Sequence, residues 1–318
     1  MLLWTLSQVA RAHGGAVPVR GVYDFSDLPV AEPGAWIVWE FYPSIVLGCL
    51  AWLVWYALMA GPIRRKYNLA EQGPTRGEWA SFVTGLAVVF WSLQGPLHEL
   101  SDVYLFSGHM IQHLAITLVF PPLFIYGMPG WMTAPIIKLP GVLTVGKFFI
   151  RPVPAFLTTT CLLYLWHVPN MYDWALVNHD VHIVEHLTFM TAYVIMWWPA
   201  FSKSKLLPKY TPGNRMLYLF FSTIPLKALG AIITVNDYLM YEYYATQPRV
   251  FGLDPMVDQR IGGLIMWLPG GLIFWAVIGY IFFRDFYADI QAMRSGKGRV
   301  KNKELAALQS KTAGEGAA

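Results

Sequence analysis

Seven long apolar runs constrain this chain more than any other feature of it. They lie at 37–60, 79–97, 104–126, 150–167, 182–201, 215–236 and 261–283. About 20 mostly apolar residues in a helix cross the roughly 30 Å hydrocarbon core of a bilayer. Backbone groups in lipid must be satisfied internally, and no ten-residue alternating segments suggest barrel strands. The expected fold is therefore all-α, a polytopic membrane protein with a bundle of seven transmembrane helices. The fourth run is the weakest, because Pro152 and Pro154 open it. Charged residues make up only 13% of the chain, against about 25% in a soluble domain.

Lys and Arg in the connections set the orientation. Four fall in 61–78, three in 127–151, four in 202–215 and seven from Arg284 onwards. The alternate set holds only Arg11, Arg20, Arg249 and Arg260. This places the N-terminus outside and the C-terminus in the cytoplasm. Three parts follow: an outer N-terminal segment at 1–36, the transmembrane domain at 37–283 and a basic cytoplasmic tail at 284–318. The net charge of +4 is explained by basic loops beside anionic membrane lipid. No nucleic-acid partner is called for.

On this topology all eight histidines fall on the outer side or in the outer half. Two pairs have metal-ligand spacing: His109 and His113 in HMIQH, and His182 and His186 in HIVEH. Residues i and i+4 share a helix face, one turn apart. His113 lies about nine residues into its run, roughly 13 Å deep at 1.5 Å per residue. A short ring at that depth does not reach water by snorkelling. A single membrane histidine usually just bonds to a neighbouring helix. Two such pairs point instead to a metal. His98 and His167 end their runs at the same boundary, with Glu99, Asp102, Asp173, Asp180, Glu185 and Asp258 nearby.

Imidazole donors suit copper, zinc, iron and nickel. Methionines on the outer half, Met266 among them, lean slightly towards copper. Haem held between one histidine of the third run and one of the fifth is the alternative. HIVEH also matches the inverted zinc-protease pattern, with Glu185 as general base. Cys49 and Cys161 form no CxxC and read as small buried hydrophobes. Lys227 sits inside the sixth run, with Asp258 as its expected partner. The leader MLLWTLSQVARAHGG carries a cleavage-like Ala10-Arg11-Ala12, though it lacks a basic n-region. Loss of residues 1–12 would leave His13 as a terminal chelate.

Four blocks carry a resemblance to a known family. They are PLHELSDVYLFSGHMIQHLAITLVFPPLFIYGMP, LYLWHVPNMYDWALVNHDVHIVEHLTFMTAYVIMWWPAF, LMYEYY and DQRIGGLIMWLPGGL. Their combination of HMxxH before PP, WHxPxxYD, HxxEHxxF and DQxxGGxxMWxPG resembles the CtaG-type cytochrome c oxidase assembly factors. The resemblance implies a seven-span protein of the bacterial plasma membrane and a role in maturing haem–copper oxidase. It implies a non-enzymatic protein that supplies copper to cytochrome c oxidase subunits on the outer side. The proposed ligands are His109, His113, His182 and His186, with His98 and His167 completing the site or relaying to it. Asp173 and Glu185 are expected to fix imidazole tautomers. Asp258, Gln259 and the Gly262-Gly263 pair are expected to bring the last helix close, with Met266 a soft ligand.

Overall fold

The computed structural model describes residues 29–294. His13, the cleavage-like site at 10–12 and most of the basic tail lie outside them. Among the described residues the fold is all-helical, with one isolated bridge between Val30 and Arg249. The helices are α1 (Pro43–Lys66), α2 (Arg76–Leu93), α3 (Pro96–Tyr104), α4 (Phe106–Gly127), α5 (Gly130–Ile137), α6 (Val142–Phe149), α7 (Pro152–Trp166), α8 (Pro169–Val177), α9 (His179–Phe201), α10 (Pro212–Val235) and α11 (Pro255–Arg294).

Four of these, α1, α4, α10 and α11, are long and apolar enough to cross a membrane. The number rises to six if α2 with α3, bent by 47°, and α6 with α7, bent by 83°, each form one span. Helix α9 is long, but its histidines, carboxylates and tryptophans dilute its apolar character. The first helix begins at Pro43 rather than at residue 37. The second run breaks at Gly95-Pro96, because proline cannot continue the ladder.

Local chemistry sets the helix starts. Thr75 and Glu78 form a reciprocal capping box at α2. The Asn178 side chain accepts from the N–H groups of Asp180 and Val181 at 3.1 and 3.2 Å. That cap starts α9 so that His182 and His186 lie within its first eight residues.

Helix α11 packs along α10 and against α4, while α9 packs on α7 and on the second half of α4. Glycines permit the closest approaches. A Cβ at Gly262 would fall 2.3 Å from the Phe106 ring, and one at Gly263 would fall 2.8 Å from the Gly230 carbonyl oxygen. Pro121 has no N–H to give the Thr117 carbonyl, and the buried Trp197 indole donates to that oxygen at 3.1 Å. The proline thus frees an acceptor that locks α9 onto α4.

Lys227 does not pair with Asp258. Its stem lies against Gly271, and its ammonium stands 5.9 Å from the centre of the Trp275 ring. Asp258 sits more than three helical turns away along α11, bonded to the start of α4. At the end of the bundle opposite the histidines, buried Arg215 bonds Asp285 at 2.7 Å and Lys203 bonds Glu78 at 2.8 Å.

Candidate metal centre

Helices α4 and α9 bring their paired histidines together. His109, His113, His182 and His186 each offer one ring nitrogen, and these atoms all lie within 4.8 Å of one another. All four residues are buried. Ring centres are 4.1 Å apart for His109 and His113, 4.2 Å for His182 and His186, and 5.1 Å for His113 and His186. Both nitrogens of His109, both of His113 and the Nε2 atoms of His182 and His186 have no hydrogen-bond partner. Buried polar atoms are normally satisfied. Converging, unsatisfied imidazoles are the donor set that a single metal ion needs.

Glu185 stands against the cluster. Its two oxygens lie 4.0 Å from His113 Nε2 and 3.9 Å from His182 Nε2, and it is 1% exposed. In a site of low dielectric this carboxylate would offset the charge of a cation held by the four imidazoles. His167 donates from Nδ1 to the Leu163 carbonyl at 2.7 Å, which leaves its buried Nε2 unpartnered. Its ring lies 6.1 Å from that of Phe189, which in turn packs on His113 at 5.1 Å.

The other expected residues lie elsewhere. Asp173 belongs to α8, and its carboxylate accepts from the Tyr243 N–H at 3.5 Å, which ties α8 to the short turn Glu242–Thr246. Burial, aided by Glu242 nearby, pushes its acid up to about 6. Asp258 accepts from Phe106 N–H, Ser107 N–H and the Ser107 hydroxyl, so it holds α4 rather than a histidine. Met266 is buried in the core beside Gly230 and outside the four-histidine group.

Sequence reasoning missed Asp102 and Gln112 as parts of the site. Asp102 Oδ2 lies 3.3 Å from Nδ1 of both His98 and His182. Gln112 stands 2.9 Å from His98 Nδ1. The i,i+4 spacing of His98 and Asp102 was a usable signal. The bend after Gly95 that aims both at α9 carries no such signal.

The family model described as cytochrome c oxidase caa3 assembly factor matches residues 54–286. The chain belongs to this assembly-factor family. Every histidine of the cluster falls within the matched region. Among curated proteins the chain is similar to an uncharacterized protein of Mycobacterium leprae (strain TN), with 24% identity over 72% of this chain and 37% of the relative. Uncharacterized proteins of Mycobacterium bovis and Mycobacterium tuberculosis are each 22% identical over 72% of this chain and 36% of their own length. The chain thus spans little more than a third of these relatives. No solved structure matches it.

Proposed function

We propose that this family member is a non-enzymatic assembly factor that binds copper at the four-histidine centre and passes it to cytochrome c oxidase subunits. The observation that carries the reading is the convergence of four buried imidazoles, from two helices, with unsatisfied nitrogens. Family membership supports the process, and the donor set supports a metal cargo. Imidazole suits copper, and neither cysteine belongs to the group. His98 and His167 flank the centre as relay groups, and Met266 contributes packing.

In this reading the protein spans a bacterial plasma membrane seven times. The six candidate spans are joined by α9, whose 23 residues reach about 34 Å, enough to cross. The histidine end faces outward and the basic loops face the cytoplasm. A protease is disfavoured. A catalytic zinc keeps an open coordination position for water, whereas four imidazoles already converge here and Glu185 is almost wholly buried.

Metal analysis of the purified protein tests the binding step. Copper should co-purify with the wild-type protein and be lost when His109 and His186 are both replaced by alanine. A deletion strain should lose haem–copper oxidase activity and regain part of it with added copper. Normal oxidase activity in that strain under copper limitation would refute the role. A Soret band in the purified protein would replace copper by haem.

A further inference from the structure

A groove opens at the end of the bundle opposite the histidines, between the starts of α7 and α10. Its volume is about 420 Å³, a size that holds a small ligand or part of a lipid. Val153 and Phe156 of α7 and Leu217 and Phe221 of α10 form its apolar walls. Val153, Leu217 and Phe221 are exposed, so the groove lies open along the flank of the bundle. From Asn214 to Phe221 it follows α10 for about 10 Å.

One polar group inside the groove lacks a partner. Tyr218 lines it, is 7% exposed and keeps a buried hydroxyl with no hydrogen-bond partner. Ser222, one turn on, gives its hydrogen to the Tyr218 backbone carbonyl instead. A buried phenol normally finds an acceptor. Tyr210 holds the groove in shape. Its hydroxyl donates to the Ile150 carbonyl just before α7, and its ring meets that of Tyr218 edge-on at 5.8 Å.

The rim is cationic. Both helices start there on a proline, and neither start is capped by a side chain. Their partial positive charges favour an anion. Exposed Arg151 and Lys209 stand beside these starts. The local ion pairs join Lys203 to Glu78 and Arg215 to Asp285. That leaves Arg151 and Lys209 without a carboxylate among the described residues. Partial desolvation, with Arg215, Arg284 and Lys203 nearby, pulls the Lys209 ammonium below its ordinary value. An anion at the rim would relieve that repulsion.

We propose that this groove binds one anionic glycerophospholipid of the surrounding membrane. An acyl chain lies between α7 and α10, a glycerol ester carbonyl accepts from the Tyr218 hydroxyl, and the phosphate sits at the Arg151 and Lys209 rim. Other occupants bring the wrong charge. Residues 295–318 carry five Lys or Arg against two Glu, and a second copy would set one basic rim against another. The inference needs the bundle to lie in a membrane and is independent of the metal centre.

The test is native mass spectrometry of the detergent-purified full-length protein. It is titrated with phosphatidylglycerol or with phosphatidylcholine of the same acyl chains. The wild-type protein should hold one phosphatidylglycerol and prefer it by about tenfold or more. Arg151→Gln and Lys209→Gln should each weaken phosphatidylglycerol by about fivefold, the scale of one basic residue at an anionic surface. Phosphatidylcholine should bind them as it binds the wild type. Tyr218→Phe should weaken both lipids by about fivefold, since both carry the ester carbonyl. Equal binding of the two lipids by the wild type, or a preference that survives both rim substitutions together, would overturn the proposal. So would full lipid affinity in Tyr218→Phe, or a lipid-free dimer as the wild-type species, which would give the groove to a second copy.

Discussion

The Asp258 carboxylate accepts the backbone N–H of Phe106 at 2.6 Å and that of Ser107 at 3.2 Å, across 152 and 151 residues of sequence. These N–H groups open α4 and have no partner within the helix. A buried carboxylate also complements the positive end of the helix dipole. His109 follows three residues after Phe106. Asp258 thus fixes the depth and rotation of the α4 histidine pair without touching it. Asp258→Ala should cost about 2–3 kcal/mol, read as a lower Tm in detergent, whereas Asp258→Asn should cost less. A Tm unchanged in the alanine variant would show that α4 is held by packing alone.

Removing one ligand from each pair separates the centre from the fold. His113→Ala and His186→Ala each take one donor from a group in which every ring has at least one nitrogen without a hydrogen-bond partner. Each should lower copper affinity by at least ~100-fold, as a lost ligand exceeds the 10–100-fold typical of its supporting groups. The helical signal should persist. Wild-type affinity in both variants would rule out a centre built from both pairs.

Glu185→Gln keeps the shape of the side chain and removes its charge. It should weaken metal binding by roughly 10–100-fold, read by chelator competition. A variant that keeps full affinity would mean that the 3.9–4.0 Å contacts to His182 and His113 do not serve the ion.

Trp197→Phe tests the junction of α9 with α4. It leaves the Thr117 carbonyl without its indole donor, next to a proline that cannot replace it. Hydrogen bonds between membrane helices average about 0.6 kcal/mol, so a loss near 1 kcal/mol including packing is expected in thermal unfolding. A larger loss of metal affinity than of stability would tie this junction to the centre's geometry.

Asp173 supplies a pH dependence. Burial raises its acid from 3.8 to about 6 in the folded protein. The folded state therefore binds more protons than the unfolded state between these values, so stability falls as pH rises through that window. Hydrogen exchange in residues 242–246 should quicken from pH 4 to pH 6, after correction for the intrinsic rate. Asp173→Asn should remove the trend. A trend that survives in Asp173→Asn would assign it to another group.

Apolar runs dictated helices because lipid or a buried core leaves the backbone no other way to satisfy its N–H and C=O groups. The i,i+4 spacing of His109 with His113 and of His182 with His186 likewise put each pair on one face, since helical geometry is local. What remained hidden was long-range. Which faces of α4 and α9 meet depends on Thr117 losing its partner to Pro121 and gaining Trp197, 80 residues on. The role of Asp258 depends on glycines that let α11 approach Phe106. Asp102 enters the site only through the turn at Gly95-Pro96, which swings α3 by 47°. Spacing along one helix is set by the peptide bond. Contacts between helices are set by packing and hydrogen bonds among distant residues, and those only the folded chain decides.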